Sequence, residues 1–103
     1  IYNLYLQLYS SLRRFPKSQK FTLRKSIDET ALDLLLTIER FTTTQLKDKS
    51  SQIKKMSYLF DRFKLLLRIS KDLEFLPTNQ YLLLIEKTEL IGKLIGGLLK
   101  KHT

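Results

Sequence analysis

Apolar residues recur at three- and four-residue spacing along nearly the whole of this chain, and only two prolines interrupt them. That period marks one face of an α-helix, so the sequence predicts amphipathic helices packed on one another. The first stripe is Ile1, Leu4/Tyr5, Leu8, Leu12 and Phe15. It closes at Pro16, because the residue before a proline avoids the α region. The second is Leu23, Ile27, Ala31, Leu34, Ile38 and Phe41, flanked by Leu32, Leu35 and Leu36. Ser18 is its expected N-cap, and the weak helix formers Thr42, Thr43 and Thr44 its expected end. The third carries Ile53, Met56, Phe60, Phe63 and Leu67, widened by Leu59, Leu66, Ile69 and Leu73, and breaks at Phe75-Leu76-Pro77. Thr78 is the expected cap of the fourth, whose stripe is Tyr81, Leu84, Ile91, Ile95 and Leu98.

Helices are therefore expected over about 1–14, 19–43, 50–74 and 79–101, with no strand-like alternation or hairpin signal between them. A chain of 103 residues is one domain, and short connections predict an all-α, antiparallel up-down four-helix bundle. The apolar faces are wider than a lone bundle needs. Leu36, Leu66 and Leu83 are surplus to one core, so self-association is expected. The longest apolar run, Tyr81 to Ile85, is far too short to cross a bilayer. Helices consumed in a bundle core also leave little to lie in lipid. The pattern is already helical at Ile1, so a few native residues are expected to precede it.

Charge constrains function. The chain holds 19 Lys+Arg against 10 Asp+Glu, a formal net charge of +9. Such a balance attracts polyanions. Several cations have an acid at helical spacing: Arg24 with Asp28, Lys25 with Glu29, Lys64 with Asp61, Arg68 with Asp72 and Lys93 with Glu89. Lys100 and Lys101 suit the negative end of a helix. Two clusters remain without a local acid, Arg13, Arg14, Lys17 and Lys20 around the first turn, and Lys54, Lys55 and Arg62 on the third helix. These are the candidate phosphate contacts. Most aromatics fit the core stripes, so readout is expected to be phosphate-dominated and weakly sequence-specific.

Nothing here reads as catalytic. There is no Cys, and the one His, His102, sits in the terminal tail without a companion ligand. Asp28, Glu29 and Asp33 suit the N-terminal half of a helix and lack a matching ligand set. No phosphate loop, nucleophile elbow or zinc motif is present. A non-catalytic protein without metal or cofactor is expected, and the lack of Cys fits a reducing cytoplasm. Gly92, Gly96 and Gly97 lie within a helical pattern at a cost of about 1 kcal/mol each, which close approach of another helix or subunit would offset.

Taken in order, several short motifs carry a resemblance. A Tyr/Leu-rich first helix ends in Arg14-Phe15-Pro16-Lys17 and is followed by Phe21-Thr22-Leu23. Leu65-Leu66-Leu67-Arg68-Ile69 comes next, and Ile91-Gly92-Lys93-Leu94-Ile95-Gly96-Gly97 closes the series. Together they resemble Avd, the accessory variability determinant of diversity-generating retroelements. Avd sits within a wider group of small bacterial four-helix-bundle proteins that includes the 23S rRNA intervening-sequence proteins. The family often has Trp after the paired glycines, where this chain has Leu98. No Asn-Ile-Ala-Glu-Gly-type stretch of the intervening-sequence branch is present.

The resemblance implies a barrel-shaped, ring-like homopentamer of four-helix protomers that binds the retroelement's reverse transcriptase together with RNA or DNA. The complex would copy template-repeat RNA with adenine-directed mutagenesis, and the chemistry would belong to the polymerase. The family supplies no catalytic residue to carry over. The alternative is an intervening-sequence-type bundle or a general protein-interaction module whose basicity is incidental.

Overall fold

The computed structural model describes residues 2–19, 22–43 and 49–102. Ile1, Lys20, Phe21 and Thr44 lie outside the described residues, as does the side chain of His102. Among the described residues there are four helices and no strand: α1 (Tyr2–Leu12), α2 (Leu23–Thr43), α3 (Lys49–Asp72) and α4 (Thr78–His102). One 3₁₀ turn, Lys17–Gln19, sits between α1 and α2.

Each apolar stripe becomes one wall of a single core. Leu4, Leu8 and Leu12 of α1 meet Ile27, Ala31, Leu34 and Ile38 of α2. Ile53, Met56, Phe60, Phe63 and Leu67 of α3 and Leu84, Ile91 and Ile95 of α4 complete it. α1 packs on α2 and α4, while α3 packs on α2 and α4. Where a polar residue falls on a stripe, its own helix satisfies it. Thr88 Oγ1 donates to the Leu84 carbonyl at 2.6 Å, and Ser70 Oγ to the Leu66 carbonyl at 2.8 Å. Neither hydroxyl is buried without an acceptor. Of the surplus apolar residues, Leu66 is half-buried against the core, whereas Leu36 and Leu83 stand 59% and 49% exposed.

Helix ends depart from the sequence expectation in a consistent way. α1 stops at Leu12 because the Arg14 and Phe15 amides donate to Ser11 and Leu12, tightening the turn ahead of Pro16. Ser18 lies in the 3₁₀ turn and caps nothing in α2. The Thr22 carbonyl accepts the first α2 bond, from Ser26 N–H at 3.0 Å, which makes Thr22 the N-cap. Thr78 is likewise the first helical residue of α4, since the Pro77 carbonyl accepts from the Tyr81 amide at 2.9 Å. At α4 the Pro77 carbonyl takes the cap position, while at α2 the 3₁₀ turn opened by the Pro16 carbonyl, which accepts from the Gln19 amide, comes first and the helix starts later.

α3 ends in a Schellman turn. The Phe75 amide donates to the Ser70 carbonyl at 2.9 Å, and the Glu74 amide to that of Lys71 at 3.0 Å. The left-handed residue this turn requires is Glu74, with φ of 66°. Glycine is the usual occupant, because a Cβ is strained there. Glu74→Gly is expected to stabilise the fold by about 1 kcal/mol, raising Tm by roughly 5 °C. A thermal melt checks this, and an unchanged or lower Tm would show that the turn bears no strain.

Candidate nucleic-acid interface

The turn after α1 projects cations because its apolar residue points inward. Phe15 is buried, with its ring centroid 5.9 Å from that of Phe75, and so pins the segment against the α3–α4 turn. Arg13, Arg14 and Lys17 surround that anchor and are all exposed. Lys20, the fourth residue of the predicted cluster, lies outside the described residues.

Lys54, Lys55 and Arg62 also lie on an exposed face, that of α3. They do not join the first cluster within one protomer. The helix between Lys55 and its end at Asp72 rises roughly 26 Å at 1.5 Å per residue. Phe75, just beyond that end, is where the first cluster is anchored. The two patches therefore sit apart along a molecule 42 Å long, with Arg62 between them. Among the described residues none of Arg13, Arg14, Lys17, Lys54 and Lys55 makes an ion pair. Arg62 is tied down: its Nε donates to Thr30 Oγ1 of α2 at 3.3 Å, while the residue as a whole stays exposed.

Elsewhere part of the charge is absorbed, in places by partners that sequence spacing does not reveal. Lys25 with Glu29 and Arg68 with Asp72 lie 3.9 Å apart, as their spacing predicts. Lys64 turns away from Asp61. Its Nζ sits 3.9 Å from Glu89 of α4 and 4.9 Å from the Phe60 ring centroid, because its side of α3 faces α4. Glu89 is thereby taken from Lys93. Asp28 is likewise taken from Arg24 by the Tyr5 hydroxyl, which donates to Asp28 Oδ1 at 2.8 Å and joins α1 to α2. Burial of that phenol, then the hydrogen bond and negative charge of Asp28, push the Tyr5 pKa up to about 12. Lys71 and Lys49 lie over the rings of Tyr81 and Phe41 at 5.1 and 5.6 Å. These pairs are largely exposed and each adds only about 0–1 kcal/mol, so their main effect is to thin the free positive charge.

The three glycines separate into two environments. A Cβ on Gly92 would sit 2.7 Å from Phe60 Cζ and 3.2 Å from Cε2, so its absence lets the α3 ring approach the α4 backbone. Gly96 and Gly97 are exposed, with nothing within 4 Å of such a position. Tyr58, which spacing alone does not single out, stands 61% exposed among the α3 cations. Between α1 and α4 runs a groove whose apolar wall includes Leu90 and Leu94, 65% and 50% exposed.

Among the described residues no three His, Cys, Asp or Glu side chains are placed to hold a metal ion, and no helix is long and apolar enough to cross a membrane. A family model described as bAvd-like matches residues 1–102. Neither the curated proteins nor the solved structures yield a match.

Gly92→Ala gains about 1 kcal/mol of helix propensity but must displace a core ring, an overpacking cost of about 1–3 kcal/mol. The expected net effect in urea unfolding is a loss of about 1 kcal/mol, recovered when Phe60→Leu is added. A stabilised single variant would show that the ring does not press on this backbone.

Proposed function

We propose a function from one premise: this chain belongs to the bAvd-like family. It is an Avd-type accessory protein that performs no chemistry itself. It binds the reverse transcriptase of a diversity-generating retroelement in the cytoplasm and holds template RNA or cDNA for that enzyme's mutagenic copying. Family membership across residues 1–102 carries this reading.

Other features support its parts. An antiparallel up-down course is favoured by the residues paired between helices. Along α3 and α4, Phe60 meets Gly92, Lys64 meets Glu89 and Lys71 meets Tyr81, so one number rises as the other falls. Arg62 with Thr30 and Lys49 with Phe41 pair α2 with α3 in the same inverse order. Assembly into a ring-like homopentamer would bury apolar surface that one protomer leaves in water, Leu83, Leu90 and Leu94 on α4 and Leu36 on α2. The open backbone at Gly96 and Gly97 offers a flat approach for another copy. Repetition around a ring would also gather the two cationic patches, separate in one protomer, into a band able to follow a phosphate backbone.

Binding by such a band is dominated by counterion release. Affinity for duplex DNA is expected to fall linearly on a log–log salt plot, with a slope of about −0.9 per phosphate neutralised. Replacing Arg13, Arg14, Lys17 and Lys20 by Gln should weaken binding to unrelated sequences alike and flatten that slope, with helicity unchanged by circular dichroism. Salt-independent binding, or an unaltered slope in the variant, would remove the first turn from the interface.

A further inference from the structure

An exposed tyrosine stands where a phosphate-only interface has no use for one. Tyr58 is one turn after Lys54 and one turn before Arg62, with Lys55 also on its N-terminal side. Successive helical residues turn by about 100°, which makes Tyr58 and Leu65 the ridge of the outward face of α3. Lys55 and Arg62 fall on the flank toward α2, as the Arg62 bond to Thr30 fixes. Asp61 falls on the opposite flank, the side from which Lys64 reaches Glu89 of α4. Tyr58, Asp61, Arg62 and Leu65 together line one shallow groove. Lys54 falls on the Asp61 flank as well, so the aromatic and apolar ridge has Lys55 and Arg62 on one side and Lys54 with Asp61 on the other.

That arrangement matches a nucleic-acid strand lying lengthwise, with bases over the ridge and phosphates beside the cations that flank it. We propose that the outer face of α3 binds single-stranded nucleic acid by stacking a base on Tyr58 while Lys54, Lys55 and Arg62 hold the neighbouring phosphates. This rests on the reading of the chain as nucleic-acid-binding and adds to it the strand state and the residue that recognises bases. A base presents its π-face to a tyrosine only when it is unstacked, which a duplex prevents. A protein partner fits less well, because the centre of a protein interface is depleted of charge and of lysine in particular, whereas this ring is ringed by cations.

The chain has no Trp, so Tyr58→Trp creates a single indole at the stacking position. Short single-stranded oligouridylate is expected to quench its fluorescence at a concentration that matches the binding isotherm. Tyr58→Leu should weaken oligouridylate binding by about 5- to 150-fold, with Tyr58→Phe close to wild type and duplex affinity unchanged in both. If Tyr58→Leu binds oligouridylate like wild type while the Lys54, Lys55 and Arg62 to Gln variant is weakened, stacking is wrong but nucleic-acid binding stands. If wild type binds neither strand state at low salt, both readings fall. A Tyr58→Leu chain that keeps its oligouridylate affinity yet no longer retains the polymerase would make this a protein-docking face and overturn the proposal.

Discussion

Burial of Phe63 sets the rotation of α3, and much of the surface chemistry follows from it. Its ring is 1% exposed and lies among Leu4 and Leu8 of α1 and Ala31 and Leu34 of α2. Burying an aromatic side chain of this size is worth roughly 3 kcal/mol, far more than any of the surface ion pairs. With Phe63 pointing inward, the helical repeat turns Lys54, Tyr58 and Leu65 to the opposite side of α3. The cations of the outer face are therefore held in place by apolar packing on the inner one. Gly92 adds to this constraint, since its missing Cβ lets Phe60 close against α4.

The net charge of +9 ends up divided by these packing decisions. Cations on the flanks of helices find partners: Lys64 reaches Glu89, Lys71 lies over Tyr81 and Lys49 over Phe41. Among the described residues, Arg13, Arg14 and Lys17 at the turn after α1 and Lys54 and Lys55 on α3 make no ion pair, and Arg62 meets the neutral Thr30 hydroxyl. Within one protomer the two candidate patches stay separate, and each is small beside a long polyanion. In the proposed ring, identical copies would bring these patches together around the assembly. The protein then contributes position and charge, and the polymerase contributes the reaction.

Much of this was legible in the sequence. The stripe from Ile53 to Leu67 lies in the core as its spacing predicts, because a 3.6-residue period leaves an apolar face only one place to go. Cap positions were not. Ser18 and Thr78 have suitable side chains, but Pro16 and Pro77 set the turns that lead into α2 and α4, and local propensity does not encode that geometry. The partner of Lys64 was hidden for a different reason. Spacing along one helix points to Asp61, whereas Glu89 is brought near only by tertiary packing. The difference between Gly92 and Gly96 depends in the same way on Phe60, a residue of another helix. Tyr58 could have been found, since it falls between the apolar positions Met56, Leu59 and Phe60 and so off the centre of the stripe. Its meaning needed the exposed ring and its flanking cations to be seen together.

The central claim is that this chain is the scaffold of a polymerase complex, and native mass spectrometry tests it most directly. The chain would be co-expressed with the reverse transcriptase of its own retroelement and purified through a tag on the polymerase. The expected species is a polymerase carrying a multimer of this chain, five copies by the proposed symmetry. A polymerase recovered without the chain, or with a single copy of it, would rule out the scaffold role.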